Sequence, residues 1–139
     1  MIRYCIPIGG LKISTNKIYA GIHWTKRREA KDSVLGYATA FCRPVQKVGS
    51  YPVEIRYRFL FRTRPLDTLN TALLAKMFED ALCALGVLED DDPKHVARSI
   101  LEVDVVPKGQ SQKKTHALRP QNNVQDEDWL EILITNYKP

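Results

Sequence analysis

A chain of 139 residues, 44% of them hydrophobic, has the length and composition of one compact α/β or α+β domain and is too short for two ordinary ones. No stretch approaches the roughly 18 consecutive apolar residues of a membrane span, and the start MIRYCIPIGG lacks the apolar region of a secretory signal. A cytosolic protein that meets no membrane is expected. Residues 1–64 carry 13 Lys and Arg against 3 Asp and Glu, while residues 65–139 carry 8 against 13. That division suits a polyanion-facing surface built largely from the first half, with carboxylates supplied by the second; a merely solvated basic surface fits the charge alone equally well.

Residues 2–8 are β-prone and end at Gly9-Gly10, which predicts a strand and a turn. From residue 25 to residue 42, Ala30, Val34, Leu35, Ala38 and Phe41 recur at helical spacing, with Thr25 as N-cap and Pro44 just beyond the end. Residues 53–62 form the clearest strand. Val53, Ile55, Tyr57, Phe59 and Phe61 share one face, and Glu54, Arg56, Arg58, Leu60 and Arg62 share the other, so one face is core and the other is basic.

Residues 67–85 predict a second helix closed by Gly86, with Leu69, Leu73, Leu74, Met77, Phe78, Ala81 and Leu85 on its apolar arc and Lys76 and Asp80 at the margin. An acidic loop from Glu89 to Asp92 follows, then strands over residues 95–106 and 129–137. Residues 107–128 are polar and read as a long exposed loop. The order β, α, β, α, β, β predicts a single α+β domain spanning residues 1–139, a mixed sheet with two main helices packed against it. The pattern leaves the strand order open.

Cys5, Cys42 and Cys83 are odd in number and widely spaced, which fits apolar filling rather than disulfides or zinc. His23, His95 and His116 stand apart, each structural or exposed rather than a ligand.

Two constellations carry chemistry. Lys26, Arg27 and Arg28, with Lys31 a turn later, put cations in the first turn of a helix, against its dipole at a few tenths of a kcal/mol each. A phosphate bound there reverses that penalty, and His23 and Trp24 stand beside it. The alternative is a solvated face with Trp24 in the core. The second constellation is Asp67, Asn70, Lys76, Asp80, Glu89, Asp90 and Asp91. Carboxylates on a phosphate-binding protein repel the ligand unless a hard cation lies between, which is a nuclease logic. Taken singly, Asp67 is also a plausible N-cap, Lys76 and Asp80 an ordinary i,i+4 pair, and the acidic run a solvated loop.

Residues 64–91, RPLDTLNTALLAKMFEDALCALGVLEDD, resemble the core motif of the RusA-like Holliday-junction resolvases, a family often carried by phages and prophages. The likeness rests on Lys76, Asp80-Ala81-Leu82, Gly86-Val87 and Glu89-Asp90-Asp91 in that order and spacing. It extends more weakly to Asn16-Lys17-Ile18-Tyr19 and His23-Trp24-Thr25-Lys26-Arg27. The resemblance implies a homodimer that binds four-way DNA junctions and nicks them in pairs with Mg²⁺ or Mn²⁺, in a bacterial or phage-infected cell. Asp67, Asn70, Lys76 and Asp91 are then the expected catalytic residues, with Asp67, Asn70, Asp90 and Asp91 on the metal. The expected DNA contacts are Lys17, His23, Lys26, Arg27, Arg28, Lys31, Arg56, Arg58 and Arg62. Aligned on Lys76, this sequence has Asn70 and Ala72 where the family has two aspartates. That substitution leaves a non-catalytic branched-DNA-binding recombination accessory as the alternative.

Overall fold

The computed structural model describes residues 1–9, 11, 24–62, 68–106 and 128–139. Asp67, Lys17, His23 and residues 107–127 lie outside that set. The described elements are strand β1 (Ile2–Pro7), helix α1 (Trp24–Phe41), strand β2 (Val53–Phe61), helix α2 (Thr68–Ala84), strand β3 (Val96–Val105) and strand β4 (Trp129–Asn136). Each of the expected elements is present, in a single α+β domain.

The strands lie side by side in the order β1, β4, β2, β3. β4 is antiparallel to both of its neighbours, whereas β2 and β3 run parallel, so the sheet is mixed. A parallel pair cannot be joined by a hairpin, and α2 supplies the crossover.

Hydrophobic alternation explains the layering. Val53, Ile55, Tyr57, Phe59 and Phe61 of β2 are buried together with Tyr4 and Ile6 of β1 and Leu130, Ile132 and Ile134 of β4. Val34 and Ala38 of α1 and Leu74, Phe78 and Leu82 of α2 join the same cluster, so both helices cover one face of the sheet. The other face carries charge in its middle and a small apolar cluster of Leu60 and Trp129, flanked by Cys5 and Val106, at one end.

Three details differ from the sequence reading. On α1, Leu35 and Phe41 are exposed, because the helix seats only the narrower stripe centred on Val34 and Ala38. On α2 the buried arc is turned to include Thr71, Ala75, Glu79 and Leu82, while Leu73 is only half-buried. Asp128, the end of the predicted exposed loop, is fully buried: its carboxylate accepts the Arg62 backbone N–H at 2.7 Å and its carbonyl accepts that of Ile8 at 2.8 Å. No helix among the described residues is long and apolar enough to cross a membrane.

Candidate functional site

Fifteen residues separate Lys76 from Asp91, yet the two side chains hydrogen-bond directly. The return is built locally. Gly86, at φ 79°, takes the left-handed conformation that closes a helix without a Cβ clash, and the N–H groups of Val87 and Leu88 bond back to the Leu82 carbonyl. Burial of Val87 and Leu88 then draws the chain back along α2. The Tyr51 hydroxyl accepts the Glu89 N–H at 2.8 Å, and the Asp90 carboxylate accepts the Asp91 N–H at 2.8 Å.

Lys76 stands among carboxylates. Besides Asp91, its Nζ lies 3.1 Å from Asp80 Oδ1 and 3.8 Å from Glu79 Oε1. Partial burial pulls the ammonium pKa down, but the hydrogen bonds and charges of Asp91 and Asp80 outweigh that and leave it above the ordinary lysine value. The hydrogen bond from Lys76 is in turn the main reason why the Asp91 carboxyl is held below the ordinary carboxylate range. Three acids around one ammonium leave a net negative site, the opposite of what a bare phosphate needs.

Glu79 is the residue sequence reasoning missed. Its carboxylate is buried, with Oε2 accepting from the Tyr57 hydroxyl at 2.8 Å and from Ser99 Oγ at 3.2 Å. Burial, and then the Glu79 charge, push the Tyr57 hydroxyl pKa well above its usual value. These residues sit in a cleft of about 260 Å³ between α2 and β3, lined also by Ala72, Ala75, Ile100 and Leu101. Ala72, Lys76 and Glu79 follow at i, i+4 and i+7 on one helix face. The signal in the sequence was Ala72 and Ala75 widening the apolar arc toward Glu79.

Asn70 lies at the start of α2, turned about 120° around the helix from Lys76 by the 100° step per residue. Its expected metal partner Asp67 lies outside the described residues. Asp90, expected on the metal with Asp91, instead groups with Asp92 and His95, with donor atoms within 4.8 Å of one another. His95 Nδ1 is 2.6 Å from Asp92 Oδ1, and its ring packs edge-on against Tyr51. Scattered in sequence, the histidine gave no sign of this.

The oxygens of Asp80 and Asp91, which converge on Lys76, are of the hard type that Mg²⁺ or Mn²⁺ takes, while Asp90 joins Asp92 and His95 in a separate group whose nitrogen Mn²⁺ accepts more readily than Mg²⁺.

The expected DNA-binding cations divide into two groups. Lys26, Arg27 and Arg28 are exposed at the start of α1, whose first turn holds no acid. Lys31 faces Asp80 at 3.5 Å. Arg56 and Arg58 do not form an open basic strip, because β3 and β4 bring carboxylates against them. Glu131, its side chain 2% exposed, holds Arg58 at 3.0 Å and Arg3 at 2.5 Å. Glu102 lies 3.0 Å from Arg58 and 3.8 Å from Arg56, and Glu54 takes Arg98 at 3.1 Å. The middle of the open face is thus a network of arginines matched by acids. Arg62, just past β2, is half-buried.

In comparison with known proteins, the sequence matches no protein-family model and no curated protein. The fold and the Lys76 constellation define a small α+β domain with an acidic site that α1 meets through Lys31.

Proposed function

We propose that this protein binds branched DNA, with four-way junctions as the preferred substrate, and hydrolyses its phosphodiester backbone with the help of Mg²⁺ or Mn²⁺. The observation that carries the reading is the meeting of Lys76 with Asp91, with Asp80 and Asp90 next to them, out of segments the sequence keeps apart. Those are the residues on which the likeness to the RusA-like family rests. Asp80 and Asp91, which meet at Lys76, would hold the cation, with Asp90 bonded to the Asp91 backbone beside them; when bound, the cation would polarise a phosphate oxygen and lower the pKa of water. Lys76, which hydrogen-bonds Asp91 and lies 3.1 Å from Asp80, would offset charge on the phosphate in the transition state. Lys26, Arg27 and Arg28 position the backbone at the start of α1, where helix N–H groups point outward.

A second reading has its own observation. Ala72 lines the cleft on the same helix face as Lys76, where the family places an aspartate. A protein that binds junctions without cutting them, as an accessory in recombination, suits that missing carboxylate.

Labelled four-way junction and linear duplex, each incubated with protein in Mg²⁺ or Mn²⁺, test both readings. The nuclease predicts junction-preferring, salt-sensitive binding and paired nicks that vanish in Asp91→Asn and Lys76→Ala. Junction-preferring binding without nicks in either metal selects the accessory, and no preference over duplex refutes both.

A further inference from the structure

The cleft between α2 and β3 encloses about 260 Å³ behind the apolar walls of Ala72, Ala75, Ile100 and Leu101. Glu79 lines it too and is only 8% exposed. One oxygen of that carboxylate, Oε2, accepts from the Tyr57 hydroxyl at 2.8 Å and from Ser99 Oγ at 3.2 Å. The other, Oε1, accepts no hydrogen bond among the described residues: Lys76 Nζ stands 3.8 Å away and is held by Asp91 and Asp80.

The positions of the protons decide what the cleft can take. Tyr57 and Ser99 each direct their one hydroxyl proton to Glu79, so each oxygen has only lone pairs left to offer a ligand. Burial, followed by the Glu79 charge, holds the Tyr57 hydroxyl pKa well above its usual value, and that proton stays in place. The unfilled oxygen of Glu79 is an acceptor as well. Three acceptors and no free hydroxyl donor suit an ammonium group, which carries three donors and no acceptor. Charge agrees with this. Glu79, Asp80 and Asp91 outnumber by one the ammonium groups paired with them, Lys76 and Lys31. A single added positive charge balances the set, and the apolar walls leave a second one without a partner.

We propose that this cleft binds a small primary monoamine in its ammonium form, the nitrogen donating to Glu79 Oε1 and to the Tyr57 and Ser99 hydroxyl oxygens. The apolar body of the amine lies against Ala72, Ala75 and Leu101. A neutral molecule of the same shape lacks the charge, and a quaternary ammonium has the charge without the N–H groups. The site stands on the hydrogen bonds of Glu79 and does not depend on the nuclease reading, so its test contains no DNA.

Benzylamine, protonated at neutral pH, is the probe, and ¹H–¹⁵N correlation spectra of the full chain read its binding. The Ala72, Ala75, Ser99 and Leu101 amides should shift together along one saturable curve. Benzyl alcohol and benzyltrimethylammonium should each bind roughly tenfold more weakly or worse, the first for want of charge and the second for want of N–H donors. Glu79→Gln should weaken benzylamine by a similar factor. Ala72→Leu, at an exposed position of α2 where leucine suits a helix, fills part of the cleft and should also weaken it several-fold. Dispersion of each spectrum confirms that the variants are folded. The proposal is overturned if those amides show no saturable shift at any soluble concentration, or if either variant binds benzylamine like wild type. Equal affinity for benzyl alcohol, which marks an apolar pocket only, or for benzyltrimethylammonium, which marks general attraction of cations only, overturns it too.

Discussion

Replacing Tyr57 by phenylalanine removes one oxygen from the floor of the cleft and leaves the ring packed. The Glu79 carboxylate then loses the shorter of its two hydroxyl partners, at 2.8 Å against 3.2 Å for Ser99, while remaining buried. A hydrogen bond to a charged buried group contributes about 1.5–3 kcal/mol, and the surviving Ser99 and Lys76 contacts place the expected loss near 2 kcal/mol. For a domain of this size each kcal/mol lowers the melting temperature by about 4 °C, so Tyr57→Phe should melt roughly 8 °C below wild type. Urea unfolding followed by far-UV circular dichroism measures the free energy, and Glu79→Gln completes a double-mutant cycle. The cycle should show coupling of about 1 kcal/mol or more, because both substitutions act on one hydrogen bond. A loss for Tyr57→Phe under about 0.5 kcal/mol, with no coupling, would refute the view that this network holds α2 to the sheet.

The charged face offers a contrast within one strand. Arg58→Met deprives the buried Glu131 of one of its two arginines and should cost about 2 kcal/mol in urea unfolding, whereas Arg56→Met, 40% exposed with ion pairs of 3.7 and 3.8 Å, should cost under about 0.5 kcal/mol. Acid should weaken the Lys76–Asp91 contact. The folded pKa of Asp91 lies below its ordinary 3.8, so its stabilisation is complete above that value and disappears as pH falls through the folded one. The stability difference between wild type and Asp91→Asn, measured from neutral pH down to about pH 3, should therefore shrink only at the acid end. Burial pushes the Cys42 thiol up to about 12 and is the main reason Cys83 is up to about 11. Both should react slowly with a disulfide reagent at mildly alkaline pH and rapidly after unfolding in guanidinium, as followed by thiol titration.

Local pattern made much of this architecture legible. β2 announces itself because a two-residue period of large apolar side chains fits only a strand with one buried face, and Gly86 marks the end of α2 because a left-handed turn there needs no Cβ. The meeting of Lys76 with Asp91 could be anticipated, since a helix followed by a tight return runs back along itself. What neighbouring strands bring was hidden. The arginines of β2 read as a basic strip until Glu131 and Glu102 arrive from β4 and β3, whose order no local period encodes. Glu79 and Asp128 were hidden for a related reason: a carboxylate can be buried when donors come from distant segments, Tyr57 and Ser99 for one and the Arg62 backbone for the other. The grouping of Asp90, Asp92 and His95 depends on the turn between them, which composition alone does not specify.

Mapping the nicks on a four-way junction, labelled on each strand in turn, bears most directly on the proposed activity. With Mg²⁺ or Mn²⁺, wild-type protein should cut two opposed strands at matching positions, and Asp91→Asn should keep junction binding while losing both cuts. Intact strands in either metal, or cuts that persist undiminished in Asp91→Asn, would contradict a hydrolytic site built on the Lys76 and Asp91 constellation.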